Sequence, residues 1–137
     1  MNQPFHILHV EDDDLDALNV QRILRQCEAV SNIEVARDGV EALEHLRSGE
    51  ADLRHMIILL DLCLPRMGGL EFLRALRGDP ALRHLPVVVL STSNLDEDKT
   101  QAYDMNVAGY LIKPLNAERF GRSLAAFADY WSNTELL

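Results

Sequence analysis

The chain has 137 residues, of which 47% are hydrophobic and 26% are charged, and this composition is typical of one globular domain with an apolar core. The formal net charge of −9 argues against nonspecific binding to DNA or to anionic membranes, because both are themselves negatively charged. No apolar run approaches the ~18 residues that a membrane span needs, and the N-terminus has no basic segment ahead of an apolar one, so we predict neither a membrane span nor a signal peptide.

Strand-like and helical patterns alternate along the chain. Apolar runs predict five strands, at Phe5–Val10, Asn32–Ala36, Met56–Leu60, Val87–Leu90 and Gly109–Ile112. Between the first two strands, helical spacing predicts a helix whose apolar face carries Leu15, Leu18, Ile23, Leu24 and Cys27. The last predicted helix carries the mostly buried apolar set Phe120, Leu124, Phe127 and Trp131.

Capping and breaking residues mark where the helices begin and end. Asp38 is expected to cap the second helix, which Gly49 ends, and Gly68-Gly69 opens the third. The segment Asn94–Glu97 resembles a capping box that starts the fourth helix, and Asn116 is a suitable cap for the fifth.

Five strands that alternate with five helices predict an α/β fold, with a parallel sheet and helices on both of its faces. The expected strand order is 2-1-3-4-5, as in a flavodoxin-like doubly wound sheet with right-handed crossovers. The chain shows no repeat or linker, so we expect a single domain over residues 1–137, with its core at about 5–131 and a short C-terminal tail.

The two cysteines, Cys27 and Cys63, show neither a CxxC motif nor a metal-finger spacing. Cys27 continues the apolar face of the first helix and is expected to be a small buried residue. Both thiols fit a reducing environment, so we expect a cytoplasmic protein.

Acidic residues directly follow the first and third predicted strands. Glu11 and Asp12 follow the first strand, and Asp61 follows the third. Because strands one and three are neighbours in the expected order, and sites in open α/β sheets lie at the carboxyl ends of the strands, the three carboxylates should meet. Carboxylates at such close range need a cation, and hard oxygen donors select Mg²⁺ or Mn²⁺. The backbone carbonyl of Cys63 is placed by sequence to join the ligands.

The ends of the fourth and fifth strands add a hydroxyl group and a cation. Ser91 follows the fourth strand and Lys113 follows the fifth. The Lys113 ammonium can pair with Asp61 or with an anion transferred to it, and the Ser91 hydroxyl can donate to an oxygen of that anion. A carboxylate nucleophile, a divalent metal, a hydroxyl donor and a cation together suit phosphoryl transfer onto Asp61.

With these motifs in place, the chain from about residue 5 to the last helix resembles a response regulator receiver domain of the chemotaxis-regulator type. The resemblance rests on Glu11-Asp12, on Asp61 within Asp-Leu-Cys-Leu-Pro, on Ser91 and on Lys113-Pro114. It implies that Asp61 accepts the phosphoryl group and that Glu11 and Asp12 hold Mg²⁺. It also implies that Ser91 is the switch hydroxyl and that Lys113 contacts the phosphoryl group.

The same resemblance implies a signalling role rather than an enzyme with a separate substrate. A partner histidine kinase would supply the phosphoryl group, and the chain would catalyse only its own phosphorylation and dephosphorylation. Tyr110 matches the family's aromatic switch position, so phosphorylation is expected to alter the face made by helix four, strand five and helix five. Output would then pass to a downstream protein or a phosphotransfer histidine domain, without direct DNA binding.

Two stretches carry a narrower resemblance. Val87–Ser93 and Phe127–Trp131 are similar to those of the small stand-alone regulators paired with bacterial phytochrome histidine kinases. The aromatic pair Tyr130-Trp131 is read either as core or as part of a homodimer interface, and the oligomeric state stays open.

The chain departs from the family's pattern in one loop, and two other positions modulate the family's chemistry. The family often has Met-Asp-Gly where this chain has Met67-Gly68-Gly69, from which we expect an effect on loop geometry rather than loss of phosphorylation. Cys63 and Ser93 occupy the two positions that modulate loss of the phosphoryl group in this family, and both are small here.

The sequence argues against three other functions. A phosphatase of the dehalogenase type would need an aspartate two positions after its nucleophile, where this chain has Cys63. A flavodoxin-like cofactor site would need a hydroxyl- and glycine-rich loop after the first strand, and the loop here is acidic. A receiver that is never phosphorylated is disfavoured by the intact set of site residues.

Several side chains also have an ordinary structural interpretation. The acids from Glu11 to Asp14 also form a turn in which a later one, such as Asp14, caps the first helix. His6 and His9 are three apart on a strand, so they face opposite sides and suit structural roles or backbone pairing rather than metal binding.

Overall fold

The computed structural model describes residues 4–28, 30–113 and 116–132, apart from the side chains at 128, 131 and 132. Its strands are β1 (Phe5–Val10), β2 (Val30–Ala36), β3 (Met56–Leu60), β4 (Val87–Ser91) and β5 (Gly109–Ile112). Its helices are α1 (Asp14–Leu24), α2 (Gly39–Arg47), α3 (Gly69–Gly78), α4 (Asp96–Asp104) and α5 (Ala117–Ser132). Within the described part of the chain, no helix is long and apolar enough to cross a membrane.

The five strands form one parallel sheet in the order β2-β1-β3-β4-β5, which confirms the predicted fold. The register aligns Val10 with Leu60 across β1 and β3. The next residue on each strand therefore emerges at the same edge, where the amide of Asp61 donates to the carbonyl of Val10 at 3.1 Å. The sheet order thus places the two acidic loops side by side.

Apolar residues fill both faces of the sheet. All five residues of β3 are buried, which explains why its sequence is a continuous apolar run rather than an alternating one. One core cluster joins β1, β3 and β4 to α2, α3 and Ala102 of α4, and the other joins them to α1 and α5. Phe120 and Leu124 are buried as predicted and Phe127 is partly buried, whereas the Trp131 side chain lies outside the described residues.

The predicted buried face of α1 is wrong in part. Leu15 and Leu18 are 73% and 55% exposed, and the buried residues of this helix are Ala17, Val20 and Leu24. These three lie at i, i+3 and i+7 on one face of the helix. The apolar pattern favoured the larger Leu15 and Leu18 over the small Ala17 as the buried residues. Cys27 lies after the end of the helix. It is half-buried, not fully buried, against the core cluster that α1 and α5 form with the sheet.

Two predicted caps are present and two are displaced by one residue. Asp38 accepts a hydrogen bond from the amide of Glu41 at 2.9 Å, and Asn116 accepts one from Arg119 at 2.9 Å. At α1 the cap is Asp13 rather than Asp14, because Asp13 Oδ1 accepts from the Asp16 amide at 3.0 Å.

The predicted cap of α4 is also corrected. Leu95, not Asn94, stands at the start of the helix, and no side chain caps it in the usual way. The Ser93 hydroxyl takes over part of this role, because it accepts from the Leu95 amide at 3.3 Å and donates to Asp98 in the first turn. The first turn of α4 is therefore held by the side chain of a serine on the β4–α4 loop.

Arg77 of α3 ties that helix to two loops on the same side of the sheet. Its guanidinium donates to the carbonyls of Met105, Arg83, Leu85 and Asn106 at 2.8 to 3.2 Å. These carbonyls belong to the segments that enter β4 and β5, so one half-buried side chain fixes the starts of both strands.

Replacing Arg77 with Gln should lower the free energy of unfolding by about 2 to 3 kcal/mol, because hydrogen bonds from a charged group are lost and partly buried carbonyls lose their donors. Urea denaturation measures this change. Arg74→Gln, an exposed position on the same helix, is the matched control and should change stability by less than about 0.5 kcal/mol. Equal stability of the two variants would contradict the role given to Arg77.

Candidate functional site at the carboxyl edge of the sheet

Three carboxylates converge at the carboxyl edge of β1 and β3. Glu11, Asp12 and Asp61 each offer an oxygen, and these oxygens lie within 4.8 Å of one another. Glu11 and Asp61 are buried, at 1% and 7% exposure, whereas Asp12 is more open to solvent. Buried oxygens at this spacing suit a hard divalent cation, so the residues present fit a magnesium or manganese ion.

Lys113, which follows β5, reaches into the same cluster. Its Nζ donates to Glu11 Oε1 at 2.5 Å and to Asp61 Oδ2 at 3.2 Å, and its side chain is only 8% exposed. The Lys113 amide donates to the Ser91 carbonyl at 2.8 Å, so the end of β4 fixes where the lysine leaves the sheet. The positive charge is therefore built into the site by the sheet pairing.

A third carboxylate that the sequence reasoning missed also holds Lys113. Asp16 Oδ2 lies 3.0 Å from Nζ and belongs to the first turn of α1. No strand-end motif marks this residue. The sequence carries no local signal for it, because its partner Lys113 is 97 positions away.

Burial sets the protonation behaviour of this cluster. Loss of solvent raises the pKa of Glu11 to about 7, which outweighs the opposing hydrogen bond from Lys113. Burial alone would lower the pKa of Lys113, but hydrogen bonds to Glu11 and Asp16 and the charge of Asp61 outweigh it and raise that pKa above its usual value. Lys113 is thus a permanent cation at neutral pH.

His9 is a second residue that the sequence reasoning did not place in the site. It is fully buried on β1, and its Nε2 lies 4.0 Å from Glu11 Oε1. Burial, helped by the nearby charge of Lys113, lowers the pKa of His9 to about 4, so the ring is neutral at pH 7. Neither ring nitrogen has a hydrogen-bond partner among the described residues, so the expected backbone pairing is absent.

The segment after Asp61 is held close to the helix that follows it. The Cys63 amide donates to Asp61 Oδ1 at 3.0 Å and orients the carboxylate, while the role of the Cys63 carbonyl as a metal ligand stays a prediction. A Cβ atom at Gly69 would lie 2.6 Å from the Asp61 carbonyl oxygen, so only glycine fits there. At Gly68, where the chain departs from the family pattern, the nearest atom would be 4.0 Å away, so space does not require glycine.

Ser93 connects the two predicted switch residues. Ser91 is fully buried, and its hydroxyl accepts a hydrogen bond from the Ser93 amide at 3.1 Å. The Tyr110 hydroxyl donates to the Ser93 carbonyl at 3.0 Å, and the Ser93 hydroxyl donates to Asp98 at 2.5 Å. One residue of the β4–α4 loop therefore touches the end of β4, the aromatic ring on β5 and the first turn of α4.

Residues 7–125 match the family profile described as the response regulator receiver domain. Among individual proteins, the chain is 41% identical over 130 residues to the probable methanogenesis regulatory protein FilR2 of Methanothrix harundinacea, covering 93% of this chain and 84% of that protein. It is also 34% identical over 139 residues to the response regulator Rcp1 of Synechocystis, covering 99% of this chain and 95% of Rcp1.

Solved structures show the same similarity. The phosphorylated cyanobacterial phytochrome response regulator RcpA superposes with a TM-score of 0.82 at 34% identity, over 97% of this chain and 98% of RcpA. The Mn²⁺-bound form of Rcp1 superposes with a TM-score of 0.76 at 32% identity, over 98% and 99% of the two chains. The profile match, the relatives and the observed sheet order agree, and the chain belongs to the response regulator receiver domain family.

Proposed function

We propose that this chain accepts a phosphoryl group on Asp61 from the phosphohistidine of a partner histidine kinase. Membership of the family makes it a two-component signalling protein. The observation that supports the specific chemistry is the position of the Asp61 carboxylate, which lies 3.2 Å from the Lys113 ammonium and within 4.8 Å of carboxylate oxygens of Glu11 and Asp12. An acceptor aspartate needs positive charge close to its oxygens, and this site supplies it.

In the transfer, an Asp61 oxygen forms the new bond to phosphorus as the bond from the kinase histidine nitrogen breaks, so that an acyl phosphate replaces the phosphohistidine. Lys113 stabilises the charge on the phosphoryl oxygens, since it already lies 3.2 Å from Asp61. Glu11, Asp12 and Asp61, with the Cys63 carbonyl, would hold Mg²⁺ or Mn²⁺, which supplies further neutralisation of those oxygens. The Mn²⁺-bound structure of Rcp1 supports a divalent metal at such a site.

Tyr110 and Ser91 form the proposed switch, with Ser93 between them. The Ser91 hydroxyl would have to turn toward Asp61 to donate to the transferred group. That rotation withdraws it from the Ser93 amide, and the contacts of Ser93 with Tyr110 and Asp98 then change as well. Helix α4 can respond because Ala102 is its one buried residue within the described chain. A local charge at Asp61 thereby alters the face formed by α4, β5 and α5.

The proposed partner is a phytochrome-class histidine kinase, because RcpA and Rcp1 are similar over nearly the whole chain and RcpA is a phytochrome response regulator. Output passes to a downstream protein or phosphotransfer histidine domain, and the negative charge of the chain argues against direct DNA binding. A homodimer through the end of α5 belongs to the same proposal, where Tyr130 is 67% exposed and the Trp131 side chain lies outside the described residues. The free thiols fit a cytoplasmic location.

Asp61→Asn should abolish labelling by acetyl phosphate or by a cognate kinase, because the amide is a far weaker nucleophile than the carboxylate. Labelling is followed on phosphate-affinity gels, with Asp104→Asn on α4 as a control that removes the same charge outside the site. A base-labile, acyl-phosphate type of label that persists on another residue of Asp61→Asn would rule out Asp61 as the acceptor.

Metal affinity should depend on pH in the direction set by Glu11. Its raised pKa of about 7 means that the carboxyl group is protonated below that pH, and a cation must displace this proton. We expect Mn²⁺ affinity to rise roughly tenfold between pH 6 and pH 8, most of it below pH 7. Electron paramagnetic resonance of free Mn²⁺ measures the affinity, and a constant affinity over this range would contradict the assignment.

Asp98→Ala should raise the affinity for the phosphoryl mimic beryllofluoride about fivefold, because one hydrogen bond that holds the loop in its present state is lost. Fluorine NMR in the presence of Mg²⁺ measures the bound fraction. Asp96→Ala removes an equivalent acid from the first turn of α4 without touching Ser93, and serves as the control. Equal beryllofluoride affinities of the two variants would show that Asp98 has no part in the switch.

A further inference from the structure

His9 is unusual for a residue in the middle of a sheet. Its side chain is completely buried, and among the described residues neither Nδ1 nor Nε2 has a hydrogen-bond partner. Polar atoms buried without partners destabilise a fold, and an apolar side chain at the same place would avoid that cost. A side chain that lowers stability in the metal-free protein calls for a role outside the packing of the core.

The surroundings of His9 indicate where that role lies. His9 lies on β1 and Glu11 directly follows that strand, where its amide still donates to the carbonyl of Ala36 on β2 at 2.8 Å, so the two side chains leave the same face of the sheet. The polar atom that faces His9 Nε2 is Glu11 Oε1, at 4.0 Å. In the neutral tautomer that carries its proton on Nε2, the Nε2–H group is therefore a donor that faces the Glu11 carboxylate.

Glu11 already has two donors, but one of them is shared with other carboxylates and the other is distant. Lys113 donates to Oε1, but it also contacts Asp16 and Asp61. The Asp13 amide reaches Oε2 only at a long 3.4 Å. When the Lys113 charge is shared with a group on Asp61, Glu11 needs a donor that does not move with that group. Within the part of the chain that the structure describes, the ring nitrogens of His9 have no hydrogen bond to any other group, so His9 can supply such a donor.

We propose that His9 is a positioning residue for Glu11: when Glu11 binds the divalent cation, the present 4.0 Å separation closes, and the Nε2–H donates to the Glu11 carboxylate and holds it in the binding orientation. This inference rests on the proposed metal site. Hydrogen-bond partners of metal ligands change metal affinity by about 10- to 100-fold when they are removed, and His9 belongs to that class of residue.

The test compares two variants at one position. His9→Leu removes the donor and keeps an apolar side chain of similar size, whereas His9→Gln places an amide N–H near the position of Nε2. Mn²⁺ and Mg²⁺ affinities are measured by calorimetry and by paramagnetic resonance, and stability is measured by urea denaturation with a metal chelator present.

Two results are expected together. His9→Leu should lose at least tenfold in Mn²⁺ affinity, while its urea midpoint without metal is equal to or higher than that of the wild type. His9→Gln should recover most of the affinity. A purely structural role predicts the opposite pattern, in which the urea midpoint falls and the affinity of the folded fraction is unchanged.

Each other outcome decides the matter. If the wild type binds Mn²⁺ and His9→Leu binds it equally well, the positioning role is wrong and the proposed function stands. If the wild type itself binds neither metal, the proposed metal site fails first. Should His9→Leu fail to fold, His9→Met lacks the donor in the same way, and an affinity equal to that of His9→Gln would overturn the inference.

Discussion

The interaction on which the site depends is the contact of one buried ammonium with the carboxylates around it. The parallel register of β1 and β3 forces Glu11 and Asp61 together, and their mutual repulsion in a solvent-poor place would oppose folding. Lys113 offsets that repulsion by reaching both of them and Asp16 as well. The protein therefore carries its own counter-charge, which is also the charge that the proposed phosphoryl group on Asp61 would require.

The strand that positions Asp61 is buried along its whole length, whereas helix α4, which belongs to the proposed output face, has few buried contacts. Strand β3, buried along its whole length, delivers Asp61 to a fixed position. Helix α4 is polar in sequence, and its register relies on contacts such as that of Ser93 with Asp98. A change of charge at a rigid site can move such a helix at low energetic cost, because few apolar contacts must be broken.

The fold was accessible from the sequence, because it depends on patterns that repeat. Continuous apolar runs marked the strands, and the helices between them required parallel crossovers, from which the sheet order followed. Errors arose where a pattern allowed two solutions. In α1, the hydrophobicity of Leu15 and Leu18 favours a face that the structure leaves exposed, and the small Ala17 marks the buried one. In α4, the local motif favours a start at Asn94, because it does not reveal the hydrogen bond from Ser93 to Asp98.

At the site, the sequence by itself determined which residues stand at the strand ends. Glu11, Asp61 and Lys113 directly follow β1, β3 and β5, and Ser91 is the last residue of β4. Only the tertiary structure decided how they are paired. Asp16 joins Lys113 across 97 positions of sequence, and such a contact carries no local signal. Among the described residues, the buried ring of His9 has no hydrogen-bond partner, and this too is decided by everything packed around it rather than by the local sequence.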